Sequence, residues 1–304
     1  MSSRQNLDRK EHKDETIEAK SETKQIERKG DLYTWGDNAK GQIGDSHKNG
    51  WFAIPLRCDF FGKRHSIHRF SVGYDHVCVT TLNGDLFGWG SNSTKQLRSN
   101  DSIDTINKPC KLKPGMNLIV KDVACGHGFT LIIDESGKVF GRGANSKGQL
   151  GNGKPRDVIP EFVRARGIQG ASKVCAGLAH SVVLENQEHH MYVFGDNSEN
   201  QLGVSSDDDM IIHPLRIDYL RPLDADCGDE FTAVITEKGS VKIAGKIGLK
   251  SFSGNFTCID SKNGCQSVAS GSSHIVVLTQ KGDVRVFGTC VCCLFNSLSL
   301  SLSS

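Results

Sequence analysis

The sequence predicts an all-β fold, a β-propeller assembled from a repeat of about 51 residues. Two independent motif series carry that prediction, and apolar runs joined by tight turns assign strands to the repeat. The first series is Trp35-Gly36, Trp89-Gly90, Arg142-Gly143, Phe194-Gly195, Ala244-Gly245 and Phe287-Gly288, with glycines 54, 53, 52, 50 and 43 residues apart. The second is Gly73-Tyr74-Asp75-His76, Gly126-His127-Gly128-Phe129, Gly177-Leu178-Ala179-His180, Gly228-Asp229-Glu230-Phe231 and Gly271-Ser272-Ser273-His274. Its leading glycines are 53, 51, 51 and 43 apart. Two series that share one period are the signature of a repeat architecture.

Each unit reads as short strands. The β-branched run His76–Leu82 is followed by Asn83-Gly84 and then by Asp85–Trp89. Asn-Gly between two such runs predicts a hairpin with a type I′ turn, whose two central residues both need positive φ. The turn recurs as Ser136-Gly137, Lys238-Gly239 and Lys281-Gly282, and as Lys29-Gly30 before the first strand. Glu188-His189-His190 stands in its place in the fourth unit, where a different turn is expected. Units this small cannot each bury a core. Stacking antiparallel sheets radially solves that problem.

A third signature follows the Trp-Gly strand: Asn38-Ala39-Lys40-Gly41-Gln42-Ile43-Gly44 and Asn145-Ser146-Lys147-Gly148-Gln149-Leu150-Gly151. Asn197–Gly203 keeps most of it, Asn92–Arg98 keeps less, and Lys246–Leu249 is barely a copy. With these motifs in hand, the stretch from residue 31 to about 288 resembles the regulator of chromosome condensation repeat family. The order of loop variants is most similar to the secretion-regulating guanine nucleotide exchange factor branch of that family. The resemblance implies a seven-bladed propeller, and for some members exchange activity on a small Ran-like GTPase. Seven units of this period need about 100 residues more than the 258 between Asp31 and Gly288. The chain is therefore expected to hold five to six of seven blades, as a truncated product would.

Three segments are expected: a charged, disordered leader over 1–30, propeller repeats over 31–288, and a Cys/Ser/Leu tail over 289–304 that the repeat does not predict. Lys plus Arg number 37 and Asp plus Glu 35, a net charge of +2 that gives no electrostatic reason to expect nucleic acid or an anionic membrane. No apolar span suggests a membrane helix. Eleven cysteines, an odd count without a secretory signal, point to reduced thiols and an intracellular protein of cytoplasm or nucleus.

The Gly-x-x-x-x-Gly spacing at Gly36–Gly41 and Gly143–Gly148 lacks the Lys-Ser/Thr of a phosphate-binding loop and recurs with the repeat, so these loops read as structural turns. His76, His180 and His274 share one repeat position, and a histidine there serves most simply as a bond to the neighbouring blade's backbone. The resemblance implies a second role, because in exchange factors of the family an Asp and a His from such loops contact the GTPase. On that basis Asp75, His76, His127, His180, Asp229, Glu230 and His274 are the candidate partner-binding residues. The wedge hairpin associated with the Ran exchanger has no counterpart in the polar loops Asp45–Ser66 and Val204–Arg221. Cys125, Cys175 and Cys227 read as buried small hydrophobes, and Cys290, Cys292 and Cys293 lack a second ligand pair for zinc. No catalytic set, metal or cofactor is expected. Two functions remain: a scaffold that binds a protein partner through its loop face, and an exchange factor for a small GTPase.

Overall fold

The computed structural model describes residues 31–289, apart from 46–49, 63–64, 100–101, 116–117, 186–188, 207 and 262–263. The expected leader and nearly all of the tail, with Cys290, Cys292 and Cys293, lie outside the described residues. Among the described residues there are 21 strands and no helix. Tyr33–Asp37 (β1) and Trp51–Arg57 (β2) form a two-stranded sheet. Four complete antiparallel blades follow. They are Ile67–Val72, His76–Thr81, Leu86–Ser91 and Thr105–Lys111 (β3–β6); Val120–Cys125, Phe129–Asp134, Val139–Asn145 and Arg156–Arg164 (β7–β10); Ala171–Ala176, His180–Glu185, His190–Asp196 and Met210–Ile217 (β11–β14); and Pro222–Cys227, Phe231–Thr236, Val241–Ile247 and Lys250–Asp260 (β15–β18). Cys265–Ser270, His274–Thr279 and Val284–Gly288 (β19–β21) make a fifth, three-stranded blade. The fold is a β-propeller. The first strands, β3, β7, β11, β15 and β19, lie side by side as the inner wall.

Apolar burial lies between blades more than within them. Phe129, Leu131 and Ile133 of β8 pack with Ala171, Val174 and Phe194 of the next blade. Phe231, Ala233 and Ile235 do the same with Val268, Ile275 and Val277. Each large side chain so buried contributes roughly 1.5–3 kcal/mol. Among third strands inside the stack, β5 is buried at every residue and β9, β13 and β17 at most of theirs. The corresponding strands β1 and β21 have no fully buried residue and alternate half-buried with exposed, leaving Tyr33 and Trp35 about half exposed (49% and 48%) and Val284 and Val286 at 63% and 66%.

The glycine of the Trp-Gly series sits where the third strand breaks register with the fourth, and its φ lies between +96° and +116° in all six copies. In every copy but Gly36 it also rests on the loop before the second strand. A Cβ on Gly90 would stand 2.5 Å from the Asp75 carbonyl oxygen, and one on Gly195 would stand 2.5 Å from that of Ala179. The two motif series are thus two sides of one contact.

The hairpin turn differs from expectation. Gly84 has φ +77°, but Asn83 is not among the residues with positive φ, so the turn is not type I′. Gly84 N–H donates to Thr81 O at 2.9 Å and Thr81 N–H to Asp85 O at 3.0 Å, a three-residue loop closed by a glycine bulge. The same pair of bonds recurs at Asp134–Lys138, Thr236–Ser240 and Thr279–Asp283. In the fourth unit His189 takes the positive φ, +55°, in place of glycine.

Gly90→Ala and Gly36→Ala separate the two demands on this glycine. Both impose the unfavourable φ, but nothing lies within 4 Å of a Cβ on Gly36. Urea midpoints should show Gly36→Ala losing about 1–2 kcal/mol and Gly90→Ala about 1–3 kcal/mol more; equal losses would show that the close approach is not the constraint.

Candidate functional site

The Asn-x-x-Gly-Gln-Leu-Gly loops are clasps between blades. The asparagine Oδ1 accepts a backbone N–H five residues on: Ile43 for Asn38 (2.9 Å), Leu97 for Asn92 (3.0 Å), Leu150 for Asn145 (2.9 Å) and Leu202 for Asn197 (3.1 Å). The glutamine Oε1 takes the N–H two residues back. Its backbone carbonyl then accepts from a residue of the next sheet: Trp89 Nε1–H on Gln42 O (2.8 Å), Thr130 on Gln96 O (2.9 Å), Ser181 on Gln149 O (2.7 Å) and Thr232 on Gln201 O (2.7 Å). These loops spend their donors on themselves, as structural turns do.

The Gly-x-x-His/Phe loops join first to second strands and converge at one end of the inner wall. They line a cavity of about 250 Å³ whose mouth carries Tyr74, His127, Leu178, Asp229 and Ser272. Each loop is closed by its glycine N–H on the carbonyl three residues later, at 2.8 to 2.9 Å. The ring of His76, Phe129, His180, Phe231 or His274 lies where the glycine Cβ would project, which explains why a flat ring, histidine or phenylalanine, stands there in every copy. The loops also bond to one another: His127 N–H to Gly177 O (3.4 Å), Leu178 N–H to Asp229 O (3.2 Å) and Asp229 N–H to Ser272 O (3.1 Å). Loops tied end to end in this way present a preorganised face.

The sequence candidates divide by burial. His76 and His180 are wholly buried and do not reach that face. Their Nε2 atoms lie 3.0 and 3.1 Å from Thr130 and Thr232 Oγ1 of the next blade. Since each threonine hydroxyl donates to a glutamine carbonyl, it accepts from the histidine. The partner of both rings in the next blade thus includes a side-chain hydroxyl, where a backbone group alone is expected. Burial pushes His180 down to about 4, so its ring is neutral at pH 7.

His127 is exposed, its ring edge-on to Tyr74 with centroids 4.6 Å apart, and Tyr74 is 73% exposed. Asp229 is half-buried and accepts from Ser272 Oγ; Glu230 pairs with Lys246 at 3.5 Å. Asp75 is half-buried, with Oδ1 3.8 Å from His76 Nδ1. Burial opposes its ionisation, but His76 and Ser91 outweigh that and hold the carboxyl below its ordinary range. His274 is half-buried in the fifth blade. The structure therefore brings Tyr74, Asp75, His127, Asp229 and Glu230 to one end. Tyr74, Leu178 and Ser272 were passed over in the sequence, although each occupies the same variable loop position as His127 and Asp229.

The inner wall holds a polar network that no motif signals. Lys173 Nζ bonds Asp224 Oδ1 at 2.6 Å, and Asp224 Oδ2 accepts from Ser267 Oγ (3.1 Å) and Val268 N–H (2.9 Å). Asp122 accepts from Val174 N–H (3.0 Å) and Asp226 from Ser270 N–H (2.6 Å). Burial raises Asp226 to about 6, against the pull of Lys173. Cys125, Cys175 and Cys227 are buried and free. His190 lies between Glu185 (3.5 Å) and Asp218 (3.6 Å), a local ion network outside the loop face. Among the described residues no helix is long and apolar enough to cross a membrane.

The family model for the regulator of chromosome condensation (RCC1) repeat matches residues 29–80, 83–133 and 136–184. The chain belongs to this family. It is 36% identical over 154 residues to the Bos taurus protein named secretion-regulating guanine nucleotide exchange factor, covering 50% of this chain and 32% of that one. It is 31% identical over 214 residues to the human "Probable E3 ubiquitin-protein ligase HERC6", covering 68% and 20%. The chain thus spans about a fifth to a third of the length of these relatives. Among solved structures it is similar to human WBSCR16 (TM-score 0.74, 20% identity, 84% of this chain and 70% of that one). It is also similar to Saccharomyces cerevisiae Prp20p, described with its binding to Gsp1p and histones (TM-score 0.70, 21% identity, 86% and 68%). At these identities the structural matches speak for the fold alone.

Two titratable groups should tilt the pH dependence of stability in opposite senses. His180, depressed from 6.5 to about 4, contributes stability that is complete above pH 6.5 and lost as pH falls toward 4, up to about 3 kcal/mol. Asp226, raised from 3.8 to about 6, makes the fold more stable as pH falls through that same range. In melts from pH 7 to 4, His180→Gln should narrow its deficit relative to wild type, and Asp226→Asn should lose ground. Parallel profiles for all three proteins would contradict both assignments.

Proposed function

We propose that this propeller binds a protein partner through its channel-mouth face and acts as a regulatory or scaffolding module inside the cell, in cytoplasm or nucleus. The observation that carries this reading is the convergence of hydrogen-bonded loops on one rigid end that displays Tyr74, Leu178 and His127 around one cavity with Asp229. An exposed aromatic pair next to carboxylates suits a patch with an apolar centre and a basic rim. Such a face makes and breaks no covalent bond.

Exchange on a small GTPase is the second reading. It rests on Asp75, a half-buried carboxylate of one of these loops that its neighbours hold ionised, and on a relative named secretion-regulating guanine nucleotide exchange factor. Exchange requires preferential binding of the nucleotide-free GTPase, so the face must distinguish two states of its partner.

Nucleotide-free and GDP-loaded Ran, with a panel of other small GTPases, supply the probes. Tyr74→Ala and Asp229→Ala should each weaken binding about 30-fold if they stand at a hot spot. Faster release of labelled GDP that disappears in Asp75→Ala supports exchange. Binding without faster release supports the scaffold, and no binding by a cooperatively folded protein rejects the GTPase as partner.

A further inference from the structure

We propose that His76, Cys78 and Cys125 form a buried site for a soft d10 metal ion, Zn²⁺ or Cu⁺, clamped across the seam between the β3–β6 and β7–β10 blades. A ring nitrogen of His76 and the two sulfurs all lie within 4.8 Å of one another. Metal–nitrogen and metal–sulfur bonds of about 2.0–2.3 Å set ligand atoms roughly 3.5–4 Å apart, so only a small contraction is needed. His76 and Cys78 are two apart on β4 and so point to one side of the strand, while Cys125 ends β7 in the neighbouring blade. His76 and Cys78 are fully buried and Cys125 is 4% exposed, which leaves no route for these thiols to act as surface nucleophiles.

Comparison among the repeats argues that the set is more than a buried-cysteine preference. At the same three positions the next seam has Phe129, Leu131 and Ala176, with no donor. The seam after it has His180, Val182 and Cys227, and the last has Phe231, Ala233 and Ser270. One seam carries three soft donors, and one carries two with valine between them. Among the described residues no other group of three such ligands is found.

Unpaired polar atoms add a second observation. His76 Nδ1 and Asp75 Oδ1 are buried without hydrogen-bond partners and lie 3.8 Å apart. With the metal on Nε2, that nitrogen would exchange its Thr130 bond for the ion, and Nδ1–H would face the Asp75 carboxylate. A histidine ligand oriented by a carboxylate on its far nitrogen is the usual outer-shell arrangement. The thiols would release their protons on binding, and thiolate with imidazole is a donor set that Zn²⁺ and Cu⁺ both accept. No change of oxidation state is involved.

The test uses the full chain, stripped with chelator under reducing, anaerobic conditions. It is titrated with Zn²⁺ in one arm and Cu⁺ in the other, against a chromophoric competitor. In the arm of the correct ion, wild type should bind one equivalent that Cys78→Val lacks, with affinity lowered about a hundredfold or more. Its melting temperature should rise on binding, and that of Cys78→Val should not. Valine is the residue of β12 at this position, and Cys125→Ala, with the alanine of β11, decides the matter should Cys78→Val not fold. Val182→Cys should add a second equivalent, since His180 and Cys227 are already in place. Equal uptake by wild type and both cysteine variants in both arms would place any bound metal on other thiols and overturn the proposal. No uptake, or no added equivalent in a folded Val182→Cys, would overturn it equally.

Discussion

Backbone touching backbone is the constraint on which the rest of this propeller depends. At the third-strand glycine of each blade the chain bulges at a φ near +100° and lies against a carbonyl of the loop that opens the second strand. At that loop's own glycine, the backbone meets the glycine carbonyl of the next blade: a Cβ on Gly73 would be 2.6 Å from Gly126 O, and one on Gly126 would be 2.7 Å from Gly177 O. Side chains there would wedge the blades apart, and overpacking of this kind is not relieved by rotamer changes. Close approach lets the inner strands meet, and the apolar clusters then fill the seams behind them.

Polar groups make the same seams specific. Glutamine carbonyls take hydroxyl or indole donors from the next sheet, and inner-strand aspartates take backbone N–H groups from the next blade. Each bond satisfies a group that burial would otherwise leave at a cost of about 1–3 kcal/mol. They fix the angular register of the stack, which hydrophobic burial alone would leave free to slide. The same bonds hold the channel-mouth loops still, so the rigidity of the candidate binding face is inherited from the seams beneath it.

Legibility in the sequence followed chemistry that repeats. The blade period, the strands, the glycine turns and the buried cysteines were readable because the same local demand recurs and only certain residues meet it. The type I′ assignment at Asn83-Gly84 failed because the dipeptide does not report loop length; Thr81 closes on both Gly84 and Asp85, and that choice is made by the paired strands. Of the candidate site residues, His127 and Asp229 line the mouth because they hold the second position of those loops, while Asp75 and Glu230, one position on, turn toward His76 and Lys246. His76 and His180 do not, because a flat ring at that position is drawn under the loop glycine.

The architecture was legible in the residues alone: glycine spacing, turn chemistry and binary patterning are local properties, and a period of about 51 residues leaves radial stacking as the way to bury them. Relations across a seam needed the folded molecule. Which histidines face a neighbour's threonine, which carboxylates of the inner wall meet Lys173, and that Cys78 and Cys125 stand beside His76 all depend on how one blade sits against the next. Those pairs are separated by about one repeat, and no local pattern encodes the distance between two residues on different blades.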